Sequence, residues 1–463
     1  ERQQTDTMQP GHFIGIAMAL AAFIIVELKS SAKVKSAADF DKGGGKGGVF
    51  LVCGTLLGTI IAGQSTIGTA QFAFTYGLAG IWYTLGSALG CLMFYFGYII
   101  PLRISHDSTL TEVIGDEFGP KASYFGSVLC TLGMLISVVS NMIASSALVT
   151  ALTGWKLWEG CLLAMVLMFA YVALGGVIGA GMGGVVKTIL LYILTITCIF
   201  VTIRLTGEIG PGTKLDVDIH DLFARGVAKE LFNGLALILG IISTQSYAQA
   251  FWVAKNYHVA RKGALIGALL CLPVGFGSVL VGIFMKNHNL ANAAEAFPTF
   301  LLHYMNPLIG GLGLGALIIT VVTGAGGLVL GASTILVRDI LGRRNKKYLE
   351  GKRHLIAMRT TIVTILLCAA IIAVSLPGTL MNDLGFLSMG LRGTVIFVPL
   401  SLALFFKGRF DSKWVCASMI AGPILLIIGN IVNIGPPPLI WGVAANLIIC
   451  MMGYRKTQEV LSK

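Results

Sequence analysis

The chain has 463 residues, of which 56% are hydrophobic and 12% are charged, and its mean hydropathy is +0.85. Ordinary water-soluble domains carry about 25% charged residues, so this composition excludes a soluble enzyme. The net charge of +12 comes from short loops between apolar runs, which argues against a nucleic-acid-binding surface. The nine cysteines and seven histidines show no metal-type spacing, and the cysteines are typical of small buried side chains.

Long apolar runs predict the secondary structure, because a helix needs about 20 apolar residues to cross a bilayer. Hydropathy identifies about thirteen such runs. They cover 11–27, 47–72, 76–102, 121–150, 156–176, 183–204, 228–252, 263–285, 305–338, 357–376, 384–406, 414–433 and 437–453. The sequence therefore predicts an all-α, polytopic membrane protein with a single transmembrane domain over 1–463. Its expected partner is the lipid bilayer, and no nucleic-acid partner is expected.

The first run predicts the orientation of the chain. Its positive charges, including Lys29 and Lys33, follow the apolar stretch, whereas a signal peptide carries them before it. We therefore expect a retained helix with the N-terminus outside and the C-terminus inside, in a bacterial-type cytoplasmic membrane. Cytoplasmic loops should then be rich in Lys and Arg, as 255–262 and 407–413 are. The basic run over 338–359 is interpreted as a topological anchor rather than a nucleic-acid or lipid-signalling site.

Two runs contain glycine and polar residues at their middle. Residues 58–69 read Gly-Thr-Ile-Ile-Ala-Gly-Gln-Ser-Thr-Ile-Gly-Thr, and 240–249 read Gly-Ile-Ile-Ser-Thr-Gln-Ser-Tyr-Ala-Gln. Lipid cannot satisfy free backbone groups, so interrupted helices are tolerated where they surround a cavity or a site. Paired interruptions in two halves are typical of inverted-repeat transporters. The alternative, close packing of helices through small residues, explains the glycines but not the glutamines.

An ordered set of stretches resembles the sodium:solute symporter family. The stretches are 38–40, 63–82, 245–263, 323–340 and 391–423. The resemblance implies a five-plus-five inverted repeat of the leucine-transporter type, with broken first and sixth core helices. The implied parts are an extra N-terminal helix at 11–27, a first repeat at 47–204, a second repeat at 228–406 and two C-terminal helices at 414–453.

The resemblance also implies a Na⁺ site, since Na⁺ is a hard cation that prefers oxygen ligands. The positions that match the ligands of the family are the carbonyls of Gly58, Ile61 and Thr320 and the hydroxyl of Thr323. The second hydroxyl of the family falls on Gly324, which cannot supply it. The sequence therefore predicts a degraded Na⁺ site.

A second departure from the family lies in the fifth core helix. Counted from Gly175-Gly176, the aspartate of the family falls on Gly184 and its glutamine on Lys187. An ammonium near an empty Na⁺ site could replace the charge of the ion and release a proton during transport. One hypothesis is therefore a Na⁺-independent carrier, coupled to H⁺ through Lys187 or working as an exchanger or facilitator. The alternative is that Lys187 snorkels to water at the cytoplasmic end.

Polar groups on the core helices are the candidates for solute binding. They are Gln64, Ser65, Thr69, Ser137, Asn141, Gln245, Tyr247 and Gln249. Hydroxyls often bond their own helix backbone, so they carry less weight. Amides in lipid need partners, which makes the glutamines stronger candidates.

Arg392 is a further candidate, because it lies well inside a predicted span. An unpaired charge there costs at least about 2.5 kcal/mol, so a charged residue at this depth indicates function. A planar guanidinium suits a carboxylate, and Arg392 is therefore expected to bind an anionic group of the solute. A structural partner such as Asp383, or snorkelling to the outside, is the alternative.

Together these features predict a secondary active transporter that moves a small polar organic solute by alternating access. An amino acid or another carboxylate is favoured, and Na⁺ or H⁺ is the only cofactor expected. The alternatives are a conventional Na⁺-coupled symporter and a transporter-like sensor that acts with a separate partner. About ten residues follow the last span, so a stand-alone carrier is expected rather than a sensor with an attached output domain. No channel filter and no catalytic motif is visible, and the sequence leaves the solute and the oligomeric state open.

Overall fold

The computed structural model describes residues 8–31, 45–105, 109–208, 221–288, 290, 292–349, 351–432 and 436–454. These residues form helices and two isolated β-bridges, with no strand among them. The predicted all-α class is therefore confirmed. The α-helices are α1 Pro10–Ser31, α2 Val49–Ile60, α3 Thr69–Tyr76, α4 Trp82–Met93, α5 Ile99–Ile104, α6 Leu110–Phe118, α7 Pro120–Thr153, α8 Leu157–Glu208, α9 Val227–Ile242, α10 Gln245–Val253, α11 Tyr257–Lys286, α12 Ala296–His303, α13 Pro307–Ile335, α14 Gly351–Val374, α15 Met381–Arg392, α16 Val398–Phe405, α17 Ser412–Val432 and α18 Pro438–Met452.

The length and composition of these helices are those of a polytopic membrane protein. Within the described ranges, nine helical segments are long and apolar enough to cross a membrane, or ten when the bent pair α9 and α10 is counted as one span. Three shorter apolar helices, Val49–Ile60, Leu157–Val172 and Pro438–Met452, occupy other predicted spans. These long, bent and short apolar segments do not fix the number of spans at the predicted thirteen.

The first predicted break is present between α2 and α3. Helix α2 ends at Ile60, and the backbone of the next residue, Ile61, is extended at φ −82° and ψ 98°. The chain resumes with a π-helical turn over Gln64–Gly68 before α3 begins. Wide turns of this type are frequent at functional sites. The run predicted as one span over 47–72 is therefore two half-helices joined by three residues.

The second predicted break separates α9 from α10. Ser243 and Thr244 leave the helical conformation, and the two half-helices meet at an angle of 49°. The two broken helices run antiparallel, because the start of α2 is paired with the end of α10. Gly47 N donates to Val253 O at 2.8 Å, and Lys255 N donates to Gly47 O at 2.9 Å. We call this end of the bundle the Lys255 end.

Helix α8 contains nearly all of the two spans predicted at 156–176 and 183–204. The helix continues without interruption from Leu157 to Glu208. Its two apolar segments, Leu157–Val172 and Gly181–Thr206, lie towards its two ends. Glycines allow its second segment to touch α2 closely, since a Cβ atom at Gly184 would overlap the carbonyl oxygen of Gly54.

Candidate transport site

The first break is occupied by the side chain of Lys187 from α8. Its Nζ atom donates to the carbonyl oxygen of Gly58 at 2.6 Å and to that of Ile61 at 2.5 Å. These carbonyls are free because α2 ends here and the chain leaves the helical path. Lys187 is fully buried, so the side chain does not snorkel to water.

The other two positions of the implied Na⁺ site lie on α13. The implied ligands are the Thr320 carbonyl and the Thr323 hydroxyl, and this hydroxyl donates to this carbonyl at 3.3 Å, so the two groups bond each other within α13. Helix α13 closes the opposite side of the break, because a Cβ atom at Gly324 would overlap the side chain of Ala62. The space that the missing hydroxyl would need is thus filled by the chain itself.

Arg392 lies at the second break and is also fully buried. Its Nη1 atom donates to the hydroxyl of Thr244 at 2.6 Å, and its Nη2 atom donates to the hydroxyls of Ser137 and Ser388, each at 3.0 Å. Its Nε atom donates to Ser388 O at 3.1 Å, and Tyr247 lies close enough to interact electrostatically with the guanidinium. This guanidinium therefore joins α7, α10, α15 and the break itself.

Gln64 and Tyr83 form the polar link between the two breaks. The Tyr83 hydroxyl donates to Gln64 Oε1 at 2.6 Å. Within the described residues, the buried Nε2 atom of Gln64 has no hydrogen-bond acceptor. A Cβ atom at Gly385 would lie 3.1 Å from Gln64 Nε2 and 2.6 Å from the Tyr83 ring, so glycine is needed for this approach. Sequence reasoning missed Tyr83, because a tyrosine in a predicted span carries no signal of its own.

Two discontinuous helices with a buried ammonium at one break and a buried guanidinium at the other form the centre of the bundle. The model of the sodium:solute symporter family matches residues 40–422. This chain belongs to the sodium:solute symporter family. It is 21% identical over 448 residues to the high-affinity choline transporter 1 of Drosophila melanogaster, which covers 92% of this chain and 72% of that protein. It is 20% identical over 460 residues to the osmoregulated proline transporter OpuE of Bacillus subtilis, covering 95% of this chain and 92% of the relative.

A solved structure of a Na⁺-coupled sialic acid symporter, in a substrate-bound outward-open state, has the same fold. Its TM-score to this chain is 0.76 at 16% identity, with 98% of each chain covered. The family and the leucine-transporter type of fold predicted from the sequence are therefore confirmed. The protein is an integral membrane transporter for a small-molecule solute and not an enzyme, and Na⁺ coupling is a general property of its family. The first resembling stretch, residues 38–40, lies outside the described residues.

Three of the remaining candidate side chains on this symporter stabilise the first break. Ser65 donates to Ile60 O at 2.9 Å, and Thr69 donates to Gln64 O at 3.0 Å. Asn141 Oδ1 accepts from Gly63 N at 2.9 Å. These groups satisfy the main chain where the helix is interrupted, which is the local alternative that the sequence left open for the hydroxyls.

Gln245 and Gln249 lie towards the Lys255 end and away from Gln64. Gln245 Oε1 accepts from the backbone N–H of Leu110 at 2.9 Å, and Gln249 Nε2 donates to the hydroxyl of Thr334 at 3.2 Å. The sequence groups all three glutamines in one pocket, and in the structure Gln64 bonds to Tyr83, whereas Gln245 and Gln249 bond to Leu110 and Thr334. The physical reason is that Gln245 begins α10, which runs from the break to the Lys255 end.

A cluster around Asp339 ties α6 to the bundle near the Lys255 end. The buried Asp339 carboxylate accepts from the hydroxyls of Thr109, Thr111 and Ser127. Thr109 also caps α6 by accepting from Glu112 N at 3.0 Å. Sequence analysis assigned no role to Asp339, although a lone aspartate at the end of an apolar run is itself a signal of a buried polar contact.

Arg225 forms a second polar cluster at the opposite end of the bundle, which we call the Arg225 end. We refer to the Asp339 and Arg225 clusters together as the two polar locks. The Arg225 guanidinium donates to Glu230 at 2.7 Å and to Asp383 at 2.6 Å, and it lies 4.3 Å from the centre of the Phe72 ring. Asp383 therefore pairs with Arg225 and not with Arg392, because it lies on the first turn of α15 and Arg392 on the last. A cavity of about 700 Å³, lined in part by Asp383 and Phe386, opens beside this lock.

Proposed function

We propose that this protein is a secondary active transporter in which the ammonium of Lys187 fills the cation site at the first break. The observation that supports the proposal is the pair of hydrogen bonds from Lys187 Nζ to the carbonyl oxygens of Gly58 and Ile61. In the family these two carbonyl positions match Na⁺ ligands. An ammonium and Na⁺ each bring one positive charge to the same oxygens, so the two cannot bind there together.

The departures from the family at Gly184 and Gly324 fit the same proposal. A carboxylate at Gly184 would not fit between α8 and α2, and a hydroxyl at Gly324 would overlap Ala62. Both substitutions bring α8 and α13 closer to the break, where the long side chain of Lys187 supplies the missing charge. The Thr320 carbonyl and the Thr323 hydroxyl then bond each other rather than an ion.

Lys187 also provides a route for coupling to H⁺. Its two hydrogen bonds hold α8 against the end of α2, and alternating access requires that the two repeats rock against one another around the site. Loss of a proton would remove the charge that strengthens both hydrogen bonds, and would favour separation of the helices. The proposed transport cycle is therefore Na⁺-independent and coupled to the protonation of Lys187.

The proposed solute pocket is the region between the two breaks, bordered by Gln64, Ser137, Tyr247 and Arg392. Ser65, Thr69 and Asn141 support its walls through the main chain, and Gln245 and Gln249 support the half-helix that closes its Lys255 side. The solute is proposed to be small, polar and organic, as the named solutes of the relatives are.

Uptake into proteoliposomes tests this function. The probes are radiolabelled L-proline and choline, which are named for the relatives, and each is tested in Na⁺ and in N-methyl-D-glucamine at equal ionic strength. We expect equal uptake in both salts, stimulation by an acidic outside medium and loss of accumulation with a protonophore. Strict Na⁺ dependence would return the protein to the conventional symporters of its family, and binding without any flux would support the sensor alternative.

A further inference from the structure

The centre of this transporter holds positive charge without a carboxylate to balance it. Lys187 and Arg392 are both fully buried, and in the described part of the chain their hydrogen-bond partners are neutral. The buried carboxylates of the described residues lie elsewhere. Glu230 pairs with Arg225, Asp339 accepts from three hydroxyls, and Glu27 lies against the glycines of α8. The core is therefore short of negative charge at the point where the two breaks meet.

Two hydrogen-bond donors point to a ligand with oxygen acceptors. Arg392 is a planar guanidinium whose partners are hydroxyls, one carbonyl and a thioether sulfur. Gln64 Nε2 is buried and has no acceptor among the described residues. A buried amide donor without an acceptor is costly, so a ligand that accepts from it would remove a penalty already present in the protein.

These donors lie on one continuous surface. Gly385, Ser388 and Arg392 follow each other at intervals of three and four residues on α15, so they share one face of that helix. Gly385 touches Gln64 Nε2 and Tyr83, while Ser388 and Arg392 contact each other and Ser137. This face of α15 therefore meets Gln64 at Gly385 and carries Arg392 two turns further along the helix.

We propose that Arg392 and Gln64 bind the carboxylate group of the transported solute, so that this transporter selects carboxylate-bearing solutes over neutral and cationic ones. The proposal rests on the transport function and names its substrate class. A guanidinium binds a carboxylate through two parallel hydrogen bonds, and the hydroxyls of Ser137 and Thr244 that now accept from Arg392 would be exchanged for the stronger, charged acceptor. A site built this way rejects an isostere that lacks the carboxylate, because the donors then stay unpaired.

The path to this site passes Phe386 in the present conformation. The Phe386 ring lies 5.6 Å from the Tyr83 ring and 6.3 Å from the Phe72 ring, measured between ring centres. Phe386 also borders the cavity of about 700 Å³ at the Arg225 end. Phe386 therefore borders this cavity on one side and Tyr83, the hydrogen-bond partner of Gln64, on the other.

Matched solute pairs test the inference by isothermal titration calorimetry on the purified full chain. The pairs are L-proline with L-prolinamide, glycine betaine with choline, and lactate with 1,2-propanediol, since the members of each pair differ mainly at the carboxylate. The variants are Arg392→Gln, Arg392→Lys and Gln64→Leu, and Arg409→Gln is the control because that side chain is exposed in a loop. Each variant is first checked for a monodisperse peak in size-exclusion chromatography.

In at least one matched pair, we expect the carboxylate-bearing solute to bind at least about tenfold more tightly than the solute without a carboxylate. The second solute cannot form the charge-assisted hydrogen bonds with Arg392. Arg392→Gln should abolish that preference, Arg392→Lys should retain part of it, and Arg409→Gln should leave it unchanged. Equal binding within every pair, binding of choline alone, or an unchanged preference in Arg392→Gln would overturn the inference. None of these results depends on Na⁺, so the role of Lys187 would stand or fall separately in the uptake assay.

Discussion

Removal of the Lys187 amine is the sharpest test of the cation site. In Lys187→Ala the carbonyl oxygens of Gly58 and Ile61 lose their shared donor. A hydrogen bond that involves a charged group contributes about 1.5–3 kcal/mol, so the loss of both should lower the free energy of unfolding by about 3–6 kcal/mol. The variant also opens a space next to free carbonyls, which is an environment that suits Na⁺. We therefore expect Na⁺ to stabilise the variant and not the parent protein.

Thermal unfolding in detergent measures both effects. The melting temperature is recorded in NaCl and in N-methyl-D-glucamine chloride at the same ionic strength, with Lys262→Ala as a control at an exposed lysine of the Lys255 end. At a Na⁺ concentration of about 100 times its Kd, the salt should restore about 2.7 kcal/mol to Lys187→Ala. A parent protein that is stabilised by Na⁺, together with a Lys187→Ala variant of unchanged stability, would refute the assignment of the ammonium to this site.

Three further predictions follow from close contacts and from the two polar locks. Gly184→Ala should lower the free energy of unfolding by about 1–3 kcal/mol through overpacking. The control Gly48→Ala should not lower it, because a Cβ atom at Gly48 meets open space. Equal melting temperatures of the two variants would contradict this reasoning. Asp339→Asn should speed hydrogen exchange in α6 by about 10-fold or more, because the hydrogen bonds that Thr109 and Thr111 donate lose their charged acceptor. Unaltered protection of α6 would show that these hydrogen bonds do not hold α6 in place. Arg225→Gln should also speed hydrogen exchange at the start of α9, since Glu230 on α9 loses its buried ion pair with Arg225. A change in exchange confined to other helices would contradict the role of this ion pair.

The helical architecture was predictable because it depends on local sequence. Apolar length identifies the spans, and glycine with polar residues at mid-span identified both breaks. The break at Ile61 and the one at Ser243–Thr244 lie within the two runs singled out by the sequence. The runs at 156–176 and 183–204 lie within one continuous helix, α8, so hydropathy alone did not locate the ends of this helix.

The contents of the site were less predictable, because they depend on contacts between distant parts of the chain. The sequence left Lys187 open between the break and the water interface, and the packing of α8 on α2 decides that the amine reaches carbonyls 126 and 129 residues away. It also left Asp383 open as a partner of Arg392, but the two lie at opposite ends of α15. Gln245 could not be separated from Gln64, because the direction of α10 is a property of the folded bundle.

By itself, the sequence determined that this chain is a helical membrane transporter with two broken helices, since hydropathy and backbone preferences act over a few residues. Only the tertiary structure decided that one break receives an ammonium and the other a guanidinium. Two groups from separate helices meet only when the glycine contacts fix how closely those helices approach, as Gly54 and Gly184 do between α2 and α8. That distance is set by the packing of the whole bundle, and no local pattern encodes it.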